Sequence, residues 1–117
     1  MRAMDKASKK EMRAQYNERK VIGGVYAVRN TLNNKLFLDV STDLRGSKNR
    51  FDFAVTTGSC VYLKLQNDWT EQGGNQFVIE VLEELEKGEG QSSPEFKDEL
   101  ELLKQMWLEK LSGEVFY

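Results

Sequence analysis

No histidine occurs among the 117 residues, and that absence decides much of the chemistry open to the chain. Histidine is the commonest general base near neutral pH and the commonest transition-metal ligand. Ser-His and Cys-His mechanisms are therefore excluded, and a metal site would have to be built from carboxylates, which suits magnesium or manganese rather than zinc. The single cysteine, Cys60, rules out an internal disulfide and stands beside Val61. A small buried apolar residue is the role expected of it, rather than a nucleophile. Charge is distributed unevenly: residues 1–20 carry seven cations against three anions, whereas residues 76–117 carry four lysines against eleven acidic residues. One end attracts phosphate and the other repels it.

These groups need elements to position them. Val21-Ile22 and Val25-Tyr26-Ala27-Val28 form one run rich in β-branched and aromatic residues, and Leu36-Phe37-Leu38-Asp39-Val40 forms a second. Between them, Asn30-Thr31-Leu32-Asn33-Asn34 offers asparagines that tolerate the positive φ of a tight turn, so the runs are expected to pair as an antiparallel hairpin. Residues 2–19 lack Gly and Pro and are expected to be helical, with a thin apolar stripe of Met4, Ala7, Met12 and Tyr16. After the hairpin, Ser41 or Thr42 can cap a helix running from Asp43 to about Val55. A second helix spans about Cys60 to Gln72, with Val61, Leu65 and Trp69 directed inward and Gly73-Gly74 ending it. Phe77 to Leu82 is nearly continuous in its apolar character, which predicts a central strand, followed by an acidic connection from Glu83 to Gly90. Ser93 and Pro94 start a final helix that places Phe96, Leu100, Leu103, Trp107 and Leu111 on one face. Gly113 ends it, leaving Val115-Phe116-Tyr117 to cover remaining core; Trp69 and Trp107 are expected to be core residues.

The order helix, strand, strand, helix, helix, strand, helix predicts a small α/β (α+β) layer fold, a three-stranded antiparallel or mixed sheet flanked by helices. Chain length allows one modest core, here residues 21–117, with residues 1–20 as an appended basic helix. The absence of a long apolar run and the polar N-terminus point to a cytoplasmic protein without a membrane partner.

The hairpin and the stretch after it resemble the GIY-YIG nuclease family. Gly24-Val25-Tyr26 stands where the family's first triplet would, and Phe37-Leu38-Asp39 stands at the spacing of the second. The segments NTLNNK, STDLR and LQNDWTEQGGNQFVIEVLEEL also match the family pattern, so that the resemblance covers about residues 23–111. It implies a three-stranded antiparallel sheet with flanking helices. It also implies phosphodiester hydrolysis, with a tyrosine near a metal-bound water, an arginine on the phosphate and a glutamate holding one divalent cation. Carried over by position, the first tyrosine is Tyr26. The second is Phe37, which keeps the ring and loses the hydroxyl, and the second glycine is Asp39, bulkier and negative. The arginine position is Ser47; Arg50, three residues on, offers a displaced cation, while Arg45 points to another face. The glutamate position is Lys104, with Glu101 one turn earlier. A protonated lysine cannot ligate a cation.

With Asp39, Ser47 and Lys104 replacing the close-approach glycine, the phosphate cation and the metal ligand, the resemblance implies a domain without the family reaction. Its expected partner is DNA or RNA, held by the basic N-terminal helix and by Arg45, Lys48, Arg50 and Lys64. No resident cofactor is expected; magnesium or manganese enters only for a divergent nuclease using Tyr26, Asp39 and Glu101. Another alternative is a protein-interaction or homo-oligomeric module using the N-terminal helix and the Val115-Phe116-Tyr117 tail. For Tyr26 itself, a packed ring with a hydrogen-bonded hydroxyl is the ordinary role of a strand tyrosine beside a hairpin.

Overall fold

The computed structural model describes residues 20–117, so the helix expected over residues 2–19 lies outside the described part. Three strands, β1 (Ile22–Asn30), β2 (Leu36–Ser41) and β3 (Phe77–Glu86), form one antiparallel sheet in the order β2-β1-β3. Three helices accompany it: α1 (Leu44–Thr57), α2 (Gln66–Gln72) and α3 (Ser93–Lys110).

The asparagines close the hairpin as their chemistry requires. Asn34 takes a φ of 61°, while the Asn30 and Asn33 side-chain oxygens accept from the amides of Leu32 and Lys35. The resulting register sets Tyr26 opposite Asp39 and Val28 opposite Phe37.

The central strand is β1, not β3 as its apolar run had implied. Gly23 through Val28 are all buried, whereas most of β3 is only half-buried at the sheet edge. Two glycines make the central position possible. A Cβ on Gly23 would run into the Ser41 carbonyl oxygen and the Phe96 ring, and one on Gly24 into the Glu83 carbonyl oxygen and the Leu44 side chain. Each glycine thus lets one helix close on one face of the sheet.

Two apolar layers result. Tyr26 and Val28 pack with Leu44, Phe51 and Ala54 of α1, with Tyr62, Leu65 and Trp69, and with Phe77. On the opposite face Val25, Ala27, Leu36, Leu38 and Val40 pack with Phe96 and Leu100 of α3, with Leu103 and Trp107 around them.

The strand β3 continues to Glu86, four residues beyond the expected end at Leu82. Its pairing with β1 slips between Val25 and Tyr26, with Val25 opposite Glu83 and Tyr26 opposite Val81. This bulge reverses which face successive residues take. Ile79 and Val81 pack in the α1 layer, whereas Leu82 and Leu85 pack in the α3 layer. Simple alternation therefore breaks at Leu82 although the strand does not.

Two helix starts differ from expectation by one or two residues in their caps, and a third by six residues. Asp43 caps α1 through the Gly46 amide, and Ser41 instead accepts from the Asp43 amide. Ser92, rather than Ser93, caps α3 in a reciprocal box with Glu95. The helix expected from Cys60 begins only at Gln66, after a 3-10 turn over Leu63–Leu65. That leaves Val61 exposed rather than inward, and Cys60 half-buried. Trp69 is buried and stacks on Phe77 at 4.8 Å, while Trp107 is half-buried and donates its indole N–H to Glu83.

Asn30 anchors the far end of the domain. It is fully buried, and its amide donates to Gln72 and to the Tyr117 hydroxyl at 2.8 Å each; that hydroxyl donates on to Asp68 at 2.6 Å. The tail lies along the β2 edge, where Leu36 exchanges backbone hydrogen bonds with Val115 and Tyr117. Phe116 and Tyr117 thus fold onto the core as expected, although Val115 is exposed. Removing the Asn30 side chain strands the Leu32 amide and the Gln72 and Tyr117 side chains. Asn30→Ala should cost about 1–3 kcal/mol in urea unfolding. Combined with Tyr117→Phe, the loss should fall short of the sum of the two single losses.

Candidate functional site

A polar cleft of about 290 Å³ opens at the β2 edge of the sheet. Tyr26 reaches it from β1, and Asp39, its cross-strand partner, from β2. The link Ser41-Thr42-Asp43 and the first turns of α1, with Gly46, Ser47 and Arg50, form one wall; Lys97 comes from α3 on the other face of the sheet.

Tyr26 is only 5% exposed, yet its hydroxyl makes no hydrogen bond among the described residues. Its ring packs as expected and its polar end does not. Burial first, and then the Asp39 carboxylate and the Tyr62 phenol, push the Tyr26 phenol well above its ordinary range, against a smaller pull from Arg50. It remains a neutral hydrogen-bonding group near neutral pH rather than a phenolate.

The other expected site positions are distributed unevenly. Ser47 is buried and donates to the Ser41 hydroxyl at 2.6 Å, so it supplies no cation. Arg50 does line the cleft. Asp39 is half-buried, and one of its oxygens accepts from the Val40 amide at 2.8 Å. Phe37 packs its ring 5.9 Å from that of Tyr62. Lys104 does not line the cleft; it lies seven residues beyond Lys97, about two turns along the same flank of α3. Glu101, between them, is half-buried.

The residues expected to hold nucleic acid do not line one pocket. Arg45 and Lys48 line a separate groove with Lys20, Asp52 and Glu84, on the flank of α1 away from Arg50. Lys64 is exposed on the 3-10 turn. Two residues that sequence patterns did not single out belong near the cleft instead. Lys97 lines it directly. The phenol of Tyr62 is raised by its burial first, with the charges of Arg50 and Asp39 also acting on it. The spacing of α3 could have exposed Lys97, one turn before Glu101. Nothing in the local pattern marks Tyr62.

Carboxylate donors in the cleft are few. Asp39 and Asp43 are the carboxylates lining the cleft, Asp43 is engaged in capping α1, and two cations face them. Among the described residues no cluster of three potential ligands could hold a metal ion. None of the helices there is long and apolar enough to cross a membrane.

A three-stranded antiparallel sheet with a helix layer on each face, and a tyrosine cleft at one edge, defines an α+β fold of the GIY-YIG type. It is similar to the solved catalytic domain of homing endonuclease I-TevI, with a TM-score of 0.56 and 27% identity over 77% of this chain and 88% of that one. A mutant of the catalytic domain of intron endonuclease I-TevI gives a TM-score of 0.56 and 26% identity, over 78% and 84% of the two chains. No protein-family model and no curated protein sequence matches.

The raised Tyr26 phenol carries a pH signature. Above pH 10, the ordinary phenol value, the unfolded chain releases this proton while the folded chain still holds it. Stability should therefore fall as pH rises past that point, until the folded phenol also ionises. Tyr26→Phe should make the fall shallower, by up to about 1.4 kcal/mol per pH unit, in denaturant unfolding compared at pH 9 and about pH 11.

Proposed function

We propose that the cleft binds a nucleic-acid phosphate without a divalent cation and does not cleave it. The observation that carries this is the convergence of Arg50 and Lys97, from opposite helix layers, on the cleft that holds the Tyr26 hydroxyl, which has no hydrogen-bond partner among the described residues. The similarity to endonuclease catalytic domains supplies the class of ligand.

Binding and cleavage ask different things of such a site. Binding needs positive charge and hydrogen-bond donors near phosphate oxygens. Arg50, Lys97 and the neutral Tyr26 hydroxyl supply both. Cleavage also needs an activated nucleophile and extra charge stabilisation in the transition state. The unionised phenol is a poor base, and the Asp39 carboxylate beside it opposes further negative charge. Lys104, where the resemblance would place a metal-binding carboxylate, lies outside the cleft and supplies no such ligand. Fixed protein charge takes over the electrostatic role of the metal, and the ability to activate a water is lost with it.

Affinity for short DNA or RNA should fall steeply with salt and be indifferent to EDTA or added magnesium. Arg50→Ala and Lys97→Ala should each lower the slope of log K against log salt by about 1. Asp39→Asn, which keeps an acceptor for the Val40 amide, should tighten binding by removing a negative charge from the cleft. Plasmid nicking with magnesium or manganese should not exceed that of the Tyr26→Phe protein. Metal-dependent binding, or nicking abolished by Tyr26→Phe, would instead establish the divergent nuclease.

A further inference from the structure

The helix wall of the cleft carries an exposed aromatic ring. Phe53 is 64% exposed, whereas Phe51, two residues earlier, is buried in the α1 layer. It stands three residues after Arg50 and seven after Gly46, both of which line the cleft. Helical geometry therefore places Phe53 on the outward face of α1, one turn beyond the cation and two beyond the glycine, and one turn beyond Asn49 of the neighbouring groove. Arg45, Lys48 and Asp52 occupy the other flank, against the separate groove.

We propose that the nucleic acid held at this site is single-stranded or locally unpaired, with Phe53 as a platform for one base whose phosphate Arg50 holds. This rests on the phosphate-binding role proposed above and specifies its ligand. The pairing of groups carries the inference. An arginine and an exposed ring one helical turn apart span what a single nucleotide spans between its phosphate and its base. Base stacking on an aromatic face is sequence-tolerant and works beside a cationic path that tracks the backbone. In an intact duplex the base faces are stacked on their neighbours and unavailable to the ring. A duplex can reach Arg50 and Lys97 through its phosphates and gains nothing from Phe53.

The test compares a 12-nucleotide thymidine strand, the corresponding abasic strand and a 12-base-pair duplex, by fluorescence anisotropy at low salt with the full chain. Phe53→Ala should weaken binding of the thymidine strand by roughly 5- to 150-fold. It should leave the abasic strand and the duplex within about twofold. Phe53→Trp should retain or tighten strand binding, and Phe53→Leu, which keeps apolar bulk without a π face, should resemble Phe53→Ala. Being exposed, these substitutions should leave the urea midpoint unchanged. If Arg50→Ala weakens all three ligands and Phe53→Ala weakens none, the stacking role is wrong and phosphate binding stands. If Phe53→Ala weakens the duplex as much as the strand, the unpaired ligand is wrong. If the unsubstituted protein binds none of the three, the phosphate-binding role itself fails and this proposal with it.

Discussion

Burial of β1 on both faces is the constraint on which the rest of the domain depends. Its centre, Gly23 to Val28, is enclosed by α1 and its neighbours on one side and by α3 on the other. Neither helix layer could close if Gly23 and Gly24 carried side chains. The close approach at those glycines brings Leu44, and with it the start of α1, against the sheet, and draws Phe96 down from the opposite face. Tyr26 reaches the cleft because it lies just beyond them on the same strand.

This order of causes separates fold from chemistry. The glycines, the apolar layers and the asparagine turn preserve the scaffold regardless of what occupies the cleft. Asp39, Ser47 and Lys104, which the sequence resemblance would set at positions of a glycine, an arginine and a glutamate, are therefore carried without disturbing the sheet. Ser47 is even satisfied within the scaffold, through Ser41, and Asp39 through the next amide. A site can change its electrostatics completely while its supporting strands stay in register.

Legibility in the sequence tracked the range of the interactions. The hairpin was readable because asparagine acts on its own turn, within three or four residues. The helices on either side were readable from apolar spacing, and their capping residues only to within one or two positions, since several Ser, Thr and Asp residues compete there. The face reversal in β3 was not readable, because a bulge depends on the partner strand rather than on local pattern. Asn30 read as a turn residue, yet its side-chain amide also reaches Gln72 and Tyr117, 42 and 87 positions away, in α2 and the tail. Lys97 and Tyr62 were missed for a related reason: they approach the site from elements whose own periodicity is explained by the core. The apolar run of β3 misled because Leu82 and Leu85 serve a different layer from Ile79 and Val81, so an edge strand imitated a central one.

The cleft also straddles the two layers, with Arg50 on one side of the sheet and Lys97 on the other. A single anion gripped by both would act as a strap between α1 and α3, two helices that pack on opposite faces of the sheet. Occupancy and structural integrity then become linked quantities: whatever loosens the layers opens the grip, and whatever fills it raises the free energy of pulling them apart by an amount set by ligand concentration over affinity. Ligand would consequently slow amide exchange on both faces of the sheet at once, so that a contact confined to one edge is reported throughout the core.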